Sequence, residues 1–453
     1  MARARRIGSV AILLLFLSCG GQSCFSYSVL THEQIIDLAW KDSIVPMLLS
    51  RYPNATPEQL ERAKAFAYGG CAIQDAGYYP FGHEFFSDLT HYVRTGDFVA
   101  SLIRNSRNVD ELAFALGALS HYAGDSIGHH DAVNPSTAVE FPSLEEKYGP
   151  IVTYDESPHG HVRTEFAFDI DQLSKRRLAP SGYLNHVGLK VPMRLLEVAF
   201  FETYGLHLRS LNIDREAAEV SYRRSVRTFI PAIARAEVLL HRKDFPADVP
   251  GPEFDLYAKR VHEADADNGW ERYRKGRFGI GTRLLAVLIV IVPKIGVISD
   301  VAIRGPQPET EARYVESVNR TLDRYEQLLG FLTRNPTAEP GVTMKLENRD
   351  LDTGLKVRPG GYRLTDWTYA HLLDKVTTLG QPVPATLQRD ILRYYADPAA
   401  PIATKKDKEA WERVQEQLAT LKTMPVIRRD FDPEVASRSE TEDRPRAIDE
   451  AVK

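Results

Sequence analysis

The chain has 453 residues, of which 43% are hydrophobic and 26% are charged, and its formal net charge is −4. This composition supports a large globular core and excludes collagen-like, low-complexity and wholly disordered proteins. The slight negative charge disfavours a general nucleic-acid-binding protein.

The first 26 residues have the pattern of an export signal. Three arginines precede an apolar run at 10–17 that is too short to span a bilayer. Cleavage after Ser26 removes these arginines, so the net charge becomes −7 and Cys71 is the only cysteine left. No intramolecular disulfide can then form. The alternative is a lipoprotein cleaved before Cys19. In either case we expect a secreted or periplasmic protein.

Hydrophobic periodicity along most of the chain is helical and predicts an all-α fold with many helices. Residues 56–59 form a capping box with Pro57 at the first helical position, which predicts a helix that stops at Gly69-Gly70. A longer helix is predicted over 110–125. Further helices are predicted at about 190–205, 214–241, 309–333 and 404–422.

The chain divides into four predicted segments: a signal peptide at 1–26, a catalytic domain at 27–250, a smaller helical C-terminal region at 251–427, and a disordered tail at 428–453. Residues 284–303 include the most apolar stretch of the mature chain and follow several basic residues. This stretch fits a buried core helix, a membrane-surface or re-entrant segment, or a membrane span. Pro359-Gly360-Gly361 predicts a turn.

Histidine is concentrated in one part of the chain, because 8 of the 13 histidines lie between residues 32 and 161. On a helix with about 100° per residue, Asp125 is offset from His121 by about 40° and His129 by about 80°. All three side chains can therefore face one point. His130 would face the opposite side unless the helix breaks at Gly128, so His129 is the predicted ligand of the pair. The alternative for His121 and Asp125 is a surface hydrogen bond.

A second pair, His161 and Glu165, has the same spacing of four residues. Asp75 and His91 lie upstream of both pairs; taken singly, Asp75 fits a turn residue and His91 a helix-surface residue. Imidazole and carboxylate groups are zinc ligands. Together, the four elements predict a multinuclear metal site.

The order and spacing of these residues resemble those of the zinc-dependent phospholipase C family, which shares its fold and trinuclear zinc site with S1/P1-type nucleases. The resemblance covers roughly residues 27–240. Members of the family begin their mature chain with an aromatic residue whose α-amino nitrogen and carbonyl oxygen bind zinc. Tyr27 stands at that place here, and His32 follows five residues later.

The resemblance implies three zinc ions. The first would be bound by Asp75, His91, His121 and Asp125, the second by His129, His161 and Glu165, and the third by main-chain atoms of Tyr27, by His32 and by Asp125, which would bridge two ions. The eight-residue spacing between His121 and His129 is similar to that of the glycosylphosphatidylinositol-specific phospholipase D branch. The best-known secreted phospholipases have ten residues there.

The leading prediction is a secreted zinc-dependent phosphodiesterase, a phospholipase C that hydrolyses phospholipid with a zinc-bound hydroxide, with Asp75 as the general base. Its expected partners are a phospholipid or another phosphodiester and a membrane surface. One alternative is an S1/P1-like nuclease with Tyr78 and Tyr79 stacking on bases, which the negative charge disfavours. Another is a non-catalytic zinc-binding protein associated with membranes.

Overall fold

A computed structural model describes residues 29–79, 82–211, 215–240, 245, 247–274, 305–335 and 346–428 of the chain. In this part the fold is all-α, as predicted. The helices are α1 (Val29–Ala39), α2 (Val45–Arg51), α3 (Pro57–Cys71), α4 (Glu84–Tyr92), α5 (Thr95–Arg104), α6 (Val109–Gly128), α7 (Asn134–Glu140), α8 (Pro142–Tyr148), α9 (Pro158–Ser174), α10 (Ser181–Val187), α11 (Met193–Tyr204), α12 (Arg215–Arg224), α13 (Ile230–Leu240), α14 (Pro252–Asn268), α15 (Pro308–Arg334), α16 (Arg363–Leu379), α17 (Ala385–Tyr394) and α18 (Lys408–Thr423). Two-residue strands, β1 (Val383–Pro384) and β2 (Val426–Ile427), pair in parallel.

Helix α6 lies at the centre of the fold and is buried along nearly its whole length. The side chain of Asn108 caps its first turn by accepting a hydrogen bond of 2.9 Å from the amide of Glu111. Because α6 is surrounded by other helices, its apolar residues are not restricted to one stripe. The helix can therefore carry polar residues into the interior of the protein.

Helices α3 and α6 cross with their backbones almost in contact. A Cβ atom added to Gly70 would lie 1.9 Å from the carbonyl oxygen of Phe114, and one added to Gly117 would lie 2.1 Å from that of Ala67. The predicted capping box at Thr56 is present, but the predicted stop at Gly69-Gly70 is wrong, since α3 continues to Cys71. These glycines allow close helix packing rather than ending the helix.

The chain after α6 stays helical, but its first turn is a wider, π-helical one. Residues His129–Val133 form a π-helical turn before α7 begins. Pro135, at the start of α7, has no amide hydrogen to donate to the preceding turn. A π turn adds a residue to the helical circuit and so changes the direction of the side chains that follow Gly128.

The C-terminal helices pack on the same core as the N-terminal ones, and the hydrophobic core is continuous from α1 to α18. In α15, the Tyr325 hydroxyl donates to the carbonyl oxygen of Leu116 in α6 at 2.9 Å. The Tyr314 hydroxyl in the same helix lies 3.0 Å from Thr31 Oγ1 in α1. Residues 308–334 thus form one wall of the region that contains the histidine-rich helices.

Several further predictions concern the ends of the elements. The predicted helix at 404–422 begins at Lys408, because Asp407 caps it by accepting a hydrogen bond from the amide of Ala410. The predicted turn at Pro359-Gly360-Gly361 is present.

None of the helices in the described ranges has the length and apolar character needed to cross a membrane. The signal peptide, the apolar segment 284–303 and nearly all of the predicted tail lie outside those ranges.

Candidate metal centre

Asp75 is carried by a short 3₁₀ turn at Gln74–Gly77 that is fixed to α4. The Ser87 hydroxyl accepts a hydrogen bond of 2.8 Å from the amide of Gly77 and donates to the carbonyl oxygen of Gln74. This attachment places Asp75 Oδ1 3.2 Å from Nε2 of His91, one turn further along α4. Two residues that are far apart in the chain therefore meet because one serine binds both ends of the turn.

Asp125 lies at the meeting point of three histidines. Its Oδ2 atom is 2.9 Å from Nε2 of His121 on the same helix and 3.4 Å from Nε2 of His91. Its Oδ1 atom is 3.2 Å from Nε2 of His32 on α1. Oδ1 thus faces one imidazole and Oδ2 faces two others, which is the arrangement that a bridging ligand needs.

The third group is formed by His129, His161 and Glu165. Both imidazole Nε2 atoms lie 2.9 Å from Oε1 of Glu165. His161 and Glu165 are one turn apart on α9, and His129 is the first residue of the π turn after α6. His130 is exposed, and its Nδ1 donates to the carbonyl oxygen of Thr353 at 3.0 Å. The structure brings His129, and not His130, to Glu165.

Main-chain carbonyls fix the orientation of three of the imidazoles. Nδ1 of His91, His121 and His129 donates to the carbonyl oxygens of Ser87, Cys71 and Leu351 at 2.8, 2.9 and 2.8 Å. A carbonyl oxygen can only accept, so the proton is on Nδ1 and a neutral ring has its lone pair on Nε2. Each Nε2 atom then points at a carboxylate oxygen, and a cation between the two relieves the repulsion.

The charge of the cluster is set by its carboxylates. Burial raises the pKa of Asp125, but the imidazoles of His121, His129 and His32 outweigh burial and hold that pKa well below its usual range. Burial likewise raises the pKa of Glu165, and nearby imidazoles lower it overall. For His129, burial lowers the pKa, whereas Asp125 and Glu165 raise it to about 10. The carboxylates of Asp125 and Glu165 therefore favour the ionised form, in which they can bind a cation.

The donor atoms form three groups that could each hold a metal ion, and within each group they lie within 4.8 Å of one another. The groups are His32, His121 and Asp125; Asp75, His91 and His121; and His129, His161 and Glu165. All eight residues are at most 1% exposed. Nitrogen and oxygen donors in this mixture, with second hydrogen bonds that orient the imidazoles, fit zinc.

Eight of the nine residues predicted as ligands therefore lie together, and their assignment as ligands stays a prediction. Tyr27, the ninth, lies outside the described residues. Of the histidines without a predicted role, His159 is exposed and His83 is half-buried. The carbonyl oxygens of Cys71, Ser87 and Leu351 could not be predicted from the sequence, because a main-chain group leaves no signal in the residue type. Cys71 itself is a free, buried thiol, as expected.

A helical bundle with three buried groups of nitrogen and oxygen ligands, two of them joined by one histidine, defines a candidate multinuclear zinc protein. Residues 31–214 match the model of the zinc-dependent phospholipase C family. The match covers about two fifths of the chain and makes this segment similar to zinc-dependent phospholipases. No curated protein and no solved structure matches the chain significantly.

Proposed function

We propose that the protein is a secreted zinc-dependent phospholipase C that hydrolyses the phosphodiester bond of a phospholipid. The observation that carries this proposal is the position of Asp125, whose Oδ1 faces His32 while its Oδ2 faces His91 and His121. All of these residues lie within the segment that matches the family. A shared carboxylate keeps two ions close enough to act on one phosphate.

The residues of the candidate site have two roles, as metal ligands and as a proton acceptor. Bound zinc would supply Lewis acidity toward the phosphate and lower the pKa of water in the site. Asp75 lies 3.2 Å from His91 and 3.9 Å from His121, farther than the 2.9 Å between Glu165 and its imidazoles. We assign to the Asp75 carboxylate, which is also a candidate ligand, the transfer of a proton from the attacking water.

Two observations support a lipid substrate over a nucleic acid. An apolar cavity with about 520 Å³ of empty space, its open mouth included, borders the turn that carries Asp75 and is lined by Phe86, Leu196 and Tyr222 among others. Tyr78 and Tyr79, which a nuclease would use for stacking, are 7% and 3% exposed. A buried ring offers no face to a base.

Export and maturation belong to the same proposal. The predicted cleavage after Ser26 would free the α-amine of Tyr27, and an amide nitrogen in the uncut chain has no lone pair for zinc. We expect N-terminal sequencing of the exported protein to begin at Tyr27. A lipid-blocked Cys19 would contradict the role of Tyr27, and it would also place the protein on a membrane.

The activity is tested by incubating the purified mature protein with phosphatidylcholine vesicles and, separately, with a single-stranded oligonucleotide. We expect release of diacylglycerol and a phosphorylated head group, loss of this activity with a chelator, and its return with zinc. Phosphatidic acid as the product would indicate cleavage on the other side of the phosphate. Cleavage of the oligonucleotide without lipid hydrolysis would refute the proposal in favour of a nuclease.

A further inference from the structure

Residues 346–354, here called the clamp segment, follow the family-matched part of the chain but contact its metal centre. The carbonyl oxygen of Leu351 accepts the hydrogen bond from His129 Nδ1 at 2.8 Å. The amide of the same residue donates to the carbonyl oxygen of His91 at 2.9 Å. One buried residue, 0% exposed, therefore contacts candidate ligands from two different groups.

The clamp segment also contacts residues beside the candidate ligands. The Asn134 side-chain amide donates to the carbonyl oxygen of Asp352 at 2.7 Å. The Tyr122 hydroxyl, next to His121 in the chain, donates to the carbonyl oxygen of Glu347 at 2.7 Å. These bonds go to main-chain oxygens, so they fix the path of the segment rather than one side chain.

Asp352 holds the segment in place through its own side chain, which is 4% exposed. Its Oδ2 atom accepts hydrogen bonds from the hydroxyls of Tyr92 at 2.9 Å and Tyr362 at 2.8 Å. Tyr92 follows His91 in α4, and Tyr362 immediately precedes α16. The carboxylate thus joins the clamp segment to a helix on each side.

The end of the clamp segment approaches α6 closely. Gly354 has a φ of +68°, and a Cβ atom there would lie 2.1 Å from the carbonyl oxygen of Ser126. Only glycine can take this backbone conformation at this distance. The turn at 350–354 is closed by a hydrogen bond from the amide of Gly354 to the carbonyl oxygen of Asp350 at 2.8 Å.

We propose that the clamp segment is a positioning element of the zinc centre, in which Leu351 orients His129 and steadies α4 at His91, and Asp352 fixes Leu351. A hydrogen bond to the second nitrogen of a ligating imidazole sets the tautomer and the ring orientation, and its loss lowers metal affinity by roughly 10–100-fold. The proposal rests on zinc binding at the cluster and does not depend on the phospholipid substrate.

The test compares Asp352→Ala with Asp352→Asn in the full-length mature protein, with zinc affinity measured by competition with a chromogenic chelator. The amide oxygen of asparagine has two lone pairs and can still accept from both tyrosines. We expect Asp352→Ala to weaken the binding of one zinc by about 10–100-fold and Asp352→Asn to leave it within about threefold of the parent.

The matched control is Asp366→Ala. Asp366 is also a buried carboxylate in the C-terminal part of the chain; it accepts from the Tyr394 hydroxyl and from the amides of Gly360 and Ala403. We expect its loss to lower the melting temperature without changing zinc affinity. Equal zinc loss in Asp366→Ala and Asp352→Ala would show that the clamp segment only stabilises the fold, and it would overturn the proposal.

Two other results would also overturn it. Parent-like zinc affinity in a folded Asp352→Ala protein would show that the segment does not position the ligands. Equal loss in Asp352→Asn and Asp352→Ala would show that the charge of Asp352 acts, and not its hydrogen bonds. If Asp352→Ala does not fold, Tyr362→Phe can be used instead, because it removes one of the two hydrogen bonds to the Asp352 carboxylate. We expect a smaller loss of zinc affinity in this variant. Unchanged zinc affinity would also overturn the proposal.

Discussion

Two of the buried polar clusters in the described part of the chain balance their carboxylates in different ways. In the first, here called the lysine cluster, the ammonium group of Lys64 lies 2.7 Å from Asp37 Oδ1, 2.8 Å from the Tyr183 hydroxyl and 2.6 Å from Asn268 Oδ1. Three acceptors match the three donors of the ammonium group. The cation of this cluster belongs to the chain.

In the metal cluster, the ion pairs that the described residues make with Asp75 and Glu165 come from imidazoles. An imidazole gives up its proton when a metal ion binds its nitrogen, whereas the ammonium group of Lys64 keeps its charge, so a cation from outside the chain can replace the protons of this cluster. Burial and charge therefore do not by themselves identify a metal site. The identity of the counter-charge separates a structural ion pair from a ligand set.

Removal of the Asp125 carboxylate should have the largest effect on zinc content and activity. We expect Asp125→Ala to lose more than one zinc per chain, because its Oδ1 faces His32 while its Oδ2 faces His91 and His121. Phosphodiesterase activity should fall by at least about 100-fold, more than the loss of an outer hydrogen-bond partner of a ligand costs. Elemental analysis and lipid hydrolysis measure the two effects; loss of one zinc or none would mean that Asp125 does not bridge.

The adjacent histidines allow a sharper test with a built-in control. His129→Ala should remove one zinc and abolish most activity, since its Nε2 faces Glu165. His130→Ala should retain zinc and most activity, because His130 is exposed. The reverse pattern in zinc content would place the ligand at His130 and contradict the orientation of the π turn.

The lysine cluster should respond in stability and not in metal content. Lys64→Met leaves Asp37 buried without its cation and should lower the free energy of unfolding by about 3–5 kcal/mol. Zinc per chain should not change in the folded fraction. The double variant Asp37→Asn with Lys64→Met should recover part of the loss, because no charge remains buried. Loss of zinc from the folded single variant would remove the distinction between the clusters.

The smallest expected effect concerns the crossing of α3, the helix that carries Lys64, with α6. Gly70→Ala would place a methyl group 1.9 Å from the carbonyl oxygen of Phe114, so α3 and α6 must separate at a cost of about 1–3 kcal/mol. The control Gly330→Ala meets only the flexible end of Arg334 and should gain roughly 0.5–1 kcal/mol. Urea unfolding measures both; a neutral Gly70→Ala would show that the crossing is not tight.

Helical phase predicted much of this arrangement from the sequence. Residues four and eight positions apart on a helix lie on the same side, which placed His121, Asp125 and His129 together, and the structure has them there. The all-α fold followed from the near absence of alternating apolar residues, since helices and strands differ in period.

What the sequence could not predict depends on distant backbone. Gly69-Gly70 resembled a helix stop, because the pattern does not show that a second helix crosses there. Leu351 has the side chain of an ordinary core residue, and its role lies in the main chain. Asp37 and Lys64 are far apart in the chain, and only the folded structure brings the two charges together.

We expect the histidine-rich cluster to bind three zinc ions, two of them joined by Asp125. The most direct test is the zinc content of the exported mature protein, purified without chelators and measured by elemental analysis against protein mass. We expect about three zinc ions per chain, and both zinc content and activity should fall when His129→Ala or Asp125→Ala is introduced. A content of one or fewer in folded protein supplied with zinc would rule out a trinuclear centre.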